Sequence, residues 1–587
     1  MSFANKMTSY FTLSRIQCAN VLLFLLLFCT LFAKVIIFQL VCFEYVAVRL
    51  IFKQPLLFFA FWMGKIVMPL IIAAPALVTT RYYWTIFVNC LVDIWAIVNM
   101  IYFNANGTMI TYDMIFMLDN LSGFGASLLT YLNFSQLLMP IITLLYVIVI
   151  SSLHLWKTAQ SNIRTIVMPI VVTLGIGLQI TANVLTNYVN GCPLSMSIYQ
   201  YCTQRTSMTA ENRFVYQHSF ISWLPTLFIY HHINRHYVTN YVMSEQEIQS
   251  LNALVHRQNQ SSPQKNLILI LVESLESWPL QEICGVEFAP FLHKFTTHEQ
   301  VMFCEHIRSQ VKQGVSGDGQ MIISSGILPI SEGVACKKYG NNTFPNYAHF
   351  YTNSAIVNPM PNVWNQKQMT TSYHYQELIE PISIKEAWED EAVFEKMGEW
   401  IRKQNGLFCC LGITISTHAP FEYGKKHPYY TIPTMPSLLQ DYLNTIHYTD
   451  SCIGNFIANL LEDGYLDNTV IVITGDHNLF RNKTHFKEIT DYALNNGIDM
   501  QAGDTYTPLI VYSSDFHNNR AVEDTCYQMD IFPTILHLIG CDNYYWQGFG
   551  INLVDTNAQY GRFITETEAY NLSELILRSN FFDTIDK

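Results

Sequence analysis

The residues able to do chemistry in this 587-residue chain stand at the ends of apolar runs. The run Leu267–Val272 ends at Glu273, and the run Leu407–Ile415 ends at Ser416-Thr417-His418-Ala419-Pro420-Phe421. The run Thr469–Thr474 ends at Gly475-Asp476-His477-Asn478. From Asn266 onward such strand-like runs alternate with helical segments, which predicts an α/β domain on a largely parallel sheet. Ligands of such sheets gather at the carboxyl ends of the strands. Any one of these residues alone reads as a surface group or a satisfied core polar group. Three strands that bring Glu, His and an Asp-His pair to one edge form a donor set for a divalent cation such as Mn²⁺, Mg²⁺ or Zn²⁺.

A cation needs a group to activate. Gln313-Gly314-Val315-Ser316-Gly317-Asp318-Gly319-Gln320 precedes Met321-Ile322-Ile323. Glycines around a Ser ahead of a helical stretch place the hydroxyl at a helix N-terminus, where backbone N–H groups and the dipole favour an anion such as phosphate. Beside a cation the Ser oxygen loses its proton more easily and becomes a better nucleophile. The bland alternative is a Gly-rich turn with Ser as its cap.

These residues must be held somewhere, and the rest of the chain says where. Half of it is hydrophobic and only 13% charged, about half the usual charged fraction. The deficit is concentrated before residue 190. Five stretches approach the roughly 20 apolar residues needed to cross a bilayer: Ile16–Tyr45, Leu56–Thr79, Tyr82–Phe103, Leu137–Leu153 and Ile166–Leu185. The first is too long for a cleavable signal peptide and is followed by further spans. Lys6, Arg15, Arg81, Lys157 and Arg164 assign the N-terminus to the cytoplasm and everything beyond residue 186 to the outside. Arg49 and Lys53 disagree with that rule, and Lys65 falls inside span two.

The expected architecture is an N-terminal α-helical transmembrane bundle of five spans (1–186), an extracytoplasmic linker (187–265) and a C-terminal α/β catalytic domain (266–587). In the linker, Phe220–Tyr230 is too short to span and contains Pro225, so an interfacial helix or a contact with the catalytic domain is expected. Gln258–Gln264 reads as a polar hinge. A net charge of −12 argues against nucleic acid as a partner. Of fourteen cysteines, Cys192 with Cys202 and Cys526 with Cys541 are close enough in sequence to bridge in an oxidising compartment.

With these residues in place, the chain resembles the lipoteichoic-acid-synthase-like phosphoglycerol transferases of the alkaline phosphatase and sulfatase superfamily. The resemblance implies a sulfatase-like fold and one divalent metal, Mn²⁺ first and Mg²⁺ or Zn²⁺ as alternatives. It places the metal on Glu273, Ser316, Asp476 and His477, with Ser316 as nucleophile and no other cofactor. Ser416–Phe421 is similar to the family's Ser/Asn-x-His-x-Pro-Phe segment and puts the catalytic and substrate-binding His418 near the reacting phosphate. Val363-Trp364-Asn365-Gln366 is similar to a Phe-Trp-Asn-Arg headgroup pocket, implying that Trp364 and Asn365 bind substrate, with Gln366 where the family has Arg. Such a replacement removes a bidentate phosphate partner.

The resemblance implies a membrane phospholipid donor and a glycan, lipid or polymer acceptor. It implies a multi-pass protein of the bacterial inner membrane with its catalytic domain extracytoplasmic, or periplasmic. The rival within the superfamily is a phosphoethanolamine transferase. A sulfatase is disfavoured because Ser316-Gly317-Asp318-Gly319-Gln320 lacks the Pro or Ala and the Arg of a formylglycine site. An inactive sulfatase-like binding protein is the remaining alternative, against which stands the retention of every metal-ligand candidate.

Overall fold

The structure is a computed structural model. It describes residues 3–43, 54–78, 82–106, 108–111, 134–155, 162–196, 210–238, 243–255, 262–331, 333–381, 389–479, 487–498, 506–554 and 565–585. Arg49, Lys53, Arg81, Lys157 and Cys202 lie outside the described residues, as does most of the Gln258–Gln264 hinge. Contacts divide the chain into two units, one of Met1–Ile115 with Leu128–Arg235 and the other of Phe116–Ser127 with His236–Lys587.

The first unit is helical: α1 (Phe3–Phe43), α2 (Pro55–Ala73), α3 (Tyr83–Asn106), α4 (Leu138–Ser152), α5 (Asn162–Val189), α6 (Ala210–Gln217) and α7 (Phe220–Val238). Five segments are long and apolar enough to cross a membrane: Ala19–Phe43, Pro55–Leu77, Tyr83–Asn104, Phe134–Ser152 and Val167–Val189. Each lies within a few residues of the stretch expected from hydropathy.

Charge inside this bundle is paired or capped. Lys34 Nζ lies 2.6 Å from Asp93 Oδ1 and donates to Thr143 Oγ1 at 2.7 Å and Asn89 Oδ1 at 2.9 Å. Thr143 Oγ1 in turn donates to Asp93 Oδ2 at 2.5 Å, so one polar knot ties α1, α3 and α4. Such pairing is what makes an ionised group tolerable at membrane depth. Lys65 lies within a helix long and apolar enough to cross a membrane, and its Nζ donates to Gln39 Oε1 at 2.6 Å and to the Val215 carbonyl at 2.9 Å. Val215 is in the last turn of α6, where exposed carbonyls favour a cation.

The apolar run at Phe220 packs into the membrane unit. Phe220 stacks on Phe38 with ring centroids 4.4 Å apart. Trp95 Nε1 donates to the Phe220 carbonyl at 2.9 Å, and Trp223 Nε1 donates to the Ile110 carbonyl at 2.7 Å. Hydropathy finds the run too short to span but is blind to the helix surfaces available to cover it.

The second unit is built on a nine-stranded sheet. Its strands are β1 (Asn266–Val272), β2 (Val301–Arg308), β3 (Asn353–Val357), β4 (Glu377–Ile379), β5 (Phe408–Ile413), β6 (Thr469–Gly475), β7 (Thr507–Ser513), β8 (Arg520–Val522) and β9 (Cys526–Tyr527). Their order is β8-β2-β7-β6-β1-β5-β3-β4, with β9 also beside β2. The centre is parallel, β1 pairing with both β5 and β6. Strand β7 runs antiparallel to β6 and β2. Strands β1, β5, β6 and β7 are buried along their whole length, which explains their unbroken apolar runs. The helices that matter below are α8 (Val315–Ser325), α9 (Asp390–Ile401) and α10 (Ser437–Glu462). Cys526 and Cys541 do not form the bridge that their spacing allows: both are buried thiols outside any disulfide, and Cys526 Sγ donates to the Asp524 carbonyl at 3.4 Å.

Candidate active site

The register of the three central strands places the chemistry. Val272 of β1 pairs with Gly475 of β6, and Leu271 pairs with Ile413 of β5, so Glu273, Asp476 and the turn to His418 leave the sheet side by side. Ser274 N–H donates to Asp476 Oδ1 at 2.9 Å, and Asp476 N–H donates to the Val272 carbonyl at 3.2 Å. On the other side, Glu273 N–H donates to Thr414 Oγ1 at 3.0 Å, and Thr417 Oγ1 donates to the Glu273 carbonyl at 2.5 Å.

Ser316 arrives on the first turn of α8. Asp318 Oδ2 accepts from the Lys312 and Gly314 N–H groups at 2.9 Å each and thereby folds the entry to that helix. Gly319 lets the helix backbone meet the Asp476 loop: a Cβ there would stand 2.2 Å from the Asp476 carbonyl oxygen. Gln528 Nε2 holds that same oxygen at 2.7 Å.

The outcome is a compact cluster. Ser316 Oγ donates to Glu273 Oε2 at 3.1 Å and lies 3.2 Å from His477 Nε2. His477 Nε2 is 3.2 Å from Glu273 Oε1 and 3.6 Å from Asp476 Oδ2. Ligand atoms of Glu273, Asp476 and His477 all fall within 4.8 Å of one another, and all three residues are buried. His477 Nδ1 lies 2.9 Å from the Asn478 carbonyl, which fixes the proton there and directs Nε2 inward.

Electrostatics fit a cation. Burial and the charge of Glu273 push Asp476 up to about 7. Burial opposes ionisation of Glu273 as well, but the His477 ring, with help from His418 and Ser274, holds that carboxyl well below the usual range. Two buried carboxylates pressed together want positive charge between them. Metal uptake must displace the proton on Asp476, so we expect the affinity for Mn²⁺ to weaken by about 10-fold per pH unit below 7. Titration calorimetry at pH 5.5, 6.5 and 7.5 checks this, and a flat profile would contradict it.

His418 is close enough for its charge to act on Glu273. Burial lowers its pKa, partly offset by Glu273, and Nδ1 lies 2.7 Å from the Ala419 carbonyl. A neutral ring with its proton on Nδ1 accepts a proton at Nε2. Trp364 packs beside the nucleophile: a Cβ on Gly317 would meet Trp364 Cβ at 3.4 Å. Trp364 and Asn365 are both left-handed, with φ of 53° and 58°, a conformation non-glycine residues hold only when their surroundings enforce it. Asn365 spends its amide on the Cys336 carbonyl at 2.9 Å, bracing this turn.

The motif reading missed residues that hold these groups in place, chiefly Asp318 and Gln528. Each is a lone polar residue in an otherwise ordinary stretch, and only Asp318, beside Ser316, carried a local signal.

Comparison with known proteins matches two separate regions of the chain. Residues 5–191 match the lipoteichoic acid synthase N-terminal domain, and residues 329–541 match the sulfatase domain. The chain thus carries a region similar to the sulfatase domain behind one similar to the lipoteichoic acid synthase N-terminal domain. The chain is 25% identical over 301 residues to lipoteichoic acid synthase 2 of Bacillus subtilis, covering 47% of this chain and 45% of that protein. It is 25% identical over 342 residues to lipoteichoic acid synthase of Staphylococcus aureus, covering 52% and 50%. It thus spans about half the length of the curated relatives it matches. Among solved structures it is similar to the lipoteichoic acid synthase LtaP from Listeria monocytogenes, with a TM-score of 0.45, 15% identity, and 58% of this chain and 98% of that one covered. It is also similar to lipooligosaccharide phosphoethanolamine transferase A from Neisseria meningitidis, with a TM-score of 0.46, 12% identity, and 90% and 95% covered.

Proposed function

We propose that this protein transfers the phosphate-bearing headgroup of a membrane phospholipid, phosphoglycerol first, to an extracytoplasmic glycan, lipid or polymer hydroxyl through a covalent Ser316 intermediate. The observation that carries this reading is the Ser316 hydroxyl on a helix N-terminus, within hydrogen-bond reach of both Glu273 and His477. Glu273, Asp476, His477 and Ser316 would hold one divalent cation, Mn²⁺ by preference. Such an ion supplies positive charge for the phosphoryl oxygens and makes the Ser oxygen easier to deprotonate.

In the first step Ser316 Oγ bonds to phosphorus and the bond from phosphorus to the diacylglycerol oxygen breaks, the proton ending on the diacylglycerol hydroxyl. In the second step an acceptor hydroxyl attacks the same phosphorus. His418 Nε2 takes that hydroxyl's proton, the Ser316–phosphorus bond breaks, and Ser316 Oγ is reprotonated. Trp364 packs against the headgroup, and Asn365 keeps it in place. The membrane spans hold the site near its lipid donor, on the extracytoplasmic side of the inner membrane.

One observation favours phosphoethanolamine as a second reading. Gln366 is buried with no partner for Oε1 among the described residues, and a neutral acceptor where the resembled family has a cationic Arg tolerates an ammonium headgroup as well as a glycerol hydroxyl. Intact mass spectrometry of the Mn²⁺-loaded protein after separate incubation with phosphatidylglycerol and phosphatidylethanolamine decides between them. We expect a phosphoglycerol adduct that is absent from Ser316→Ala. A phosphoethanolamine adduct would promote the second reading, and no adduct from either lipid would refute transfer from these donors.

A further inference from the structure

The turn that carries His418 is fastened by a buried carboxylate with no other task in the scheme above. Asp390, the first residue of α9, is fully buried. Its Oδ1 accepts from the Ile415 N–H at 2.8 Å and the Ser416 N–H at 2.9 Å, and its Oδ2 accepts from Thr449 Oγ1 of α10 at 2.7 Å. Its own N–H donates to Ser416 Oγ at 3.0 Å. Those four bonds join α9, α10 and the end of β5. Two residues on, Thr417 Oγ1 binds the Glu273 carbonyl, and His418 N–H donates to the Ile415 carbonyl at 2.9 Å. A carboxylate that accepts two successive backbone N–H groups sets the direction of the turn they belong to. An uncharged amide cannot accept from all three donors in this arrangement.

We infer that Asp390 is a positioning residue for His418, acting through the Ile415–His418 turn to set the imidazole for proton transfer from the acceptor hydroxyl. This rests on the transfer reading above and deepens it. Asp390 touches neither the Ser316 hydroxyl nor the carboxylate cluster, so its contribution falls on the second step. Burial also raises its pKa, partly offset by the donors of Ile415, Thr449 and Ser416. Glu389 and Glu391 are the acidic neighbours, and burial keeps Tyr448 and Cys452 neutral.

The test separates the half-reactions in full-length protein in detergent or nanodiscs, using Asp390→Asn and the milder Thr449→Val. Quenched-flow measurement of Ser316 adduct formation and of its decay to acceptor is combined with Mn²⁺ titration. We expect both variants to form the adduct within about 3-fold of the wild-type rate and to bind Mn²⁺ normally. Transfer from the adduct should slow by about 10–100-fold in Asp390→Asn and by less in Thr449→Val, so that labelled protein accumulates. Adding Asp390→Asn to His418→Gln should cost no further rate in that step. Equal losses in adduct formation, transfer and Mn²⁺ binding would overturn the proposal in favour of a general structural role. If Asp390→Asn fails to fold, an unchanged transfer rate in folded Thr449→Val would overturn it too. An absence of adduct in the wild type would instead strike the transfer reading itself.

Discussion

Ser316→Ala should abolish headgroup transfer, lowering turnover by at least about 10⁴-fold, because the covalent route then has no nucleophile. The side chain lies on the first turn of a helix whose entry is folded by Asp318, not by Ser316 itself. Its loss removes hydrogen bonds to Glu273 and His477 but leaves the carboxylate and imidazole cluster intact. The variant should therefore fold and still bind Mn²⁺, more weakly for want of one ligand. Turnover of a labelled phospholipid, read beside thermal unfolding and metal titration, tests this. Residual transfer within 10-fold of wild type would show that Ser316 is not the nucleophile.

The second large effect is expected at Asp476. Asp476→Asn should weaken Mn²⁺ binding by at least about 100-fold, beyond what changes to residues behind the ligands typically cost. It should also make the metal-free protein more stable at pH 8. The sign follows from linkage. Burial and Glu273 raise this carboxyl from 3.8 to about 7 in the fold, so ionising it costs stability as pH rises from about 4 to 7. The neutral Asn escapes that cost, and its Oδ1 can still accept from the Ser274 N–H. Unfolding of metal-free protein should show the variant level with wild type near pH 4 and above it at pH 8. A variant less stable at both values would mean that Asp476 is a structural residue and not one half of a strained cation cradle.

Much of this site was visible in the sequence because a parallel sheet turns linear order into spatial position. Glu273, Asp476 and His477 each follow an apolar run, and neighbouring strands bring such positions together. Ser316 was visible through its glycines, and Gly319 turns out to be needed for close approach to Asp476. The direction of β7 was not legible, since a buried strand reads as the same apolar run in either sense. Asp390 was not legible either: its partners lie 25, 26 and 59 residues away, and no local pattern joins them. The packing of the helix beginning at Phe220 was not legible for a related reason. Hydropathy measures a segment against lipid or water, whereas its destination was a groove between other helices.

The seating of that helix bears on how a water-soluble catalytic fragment could ever be shed. Phe214, Phe220, Trp223 and Leu227 are all buried within the membrane unit. A protease cutting just after the fifth span would release a fragment carrying this aromatic seam into water, where it would drive self-association. A fragment that began downstream of Leu227 would leave this seam with the helices it packs against.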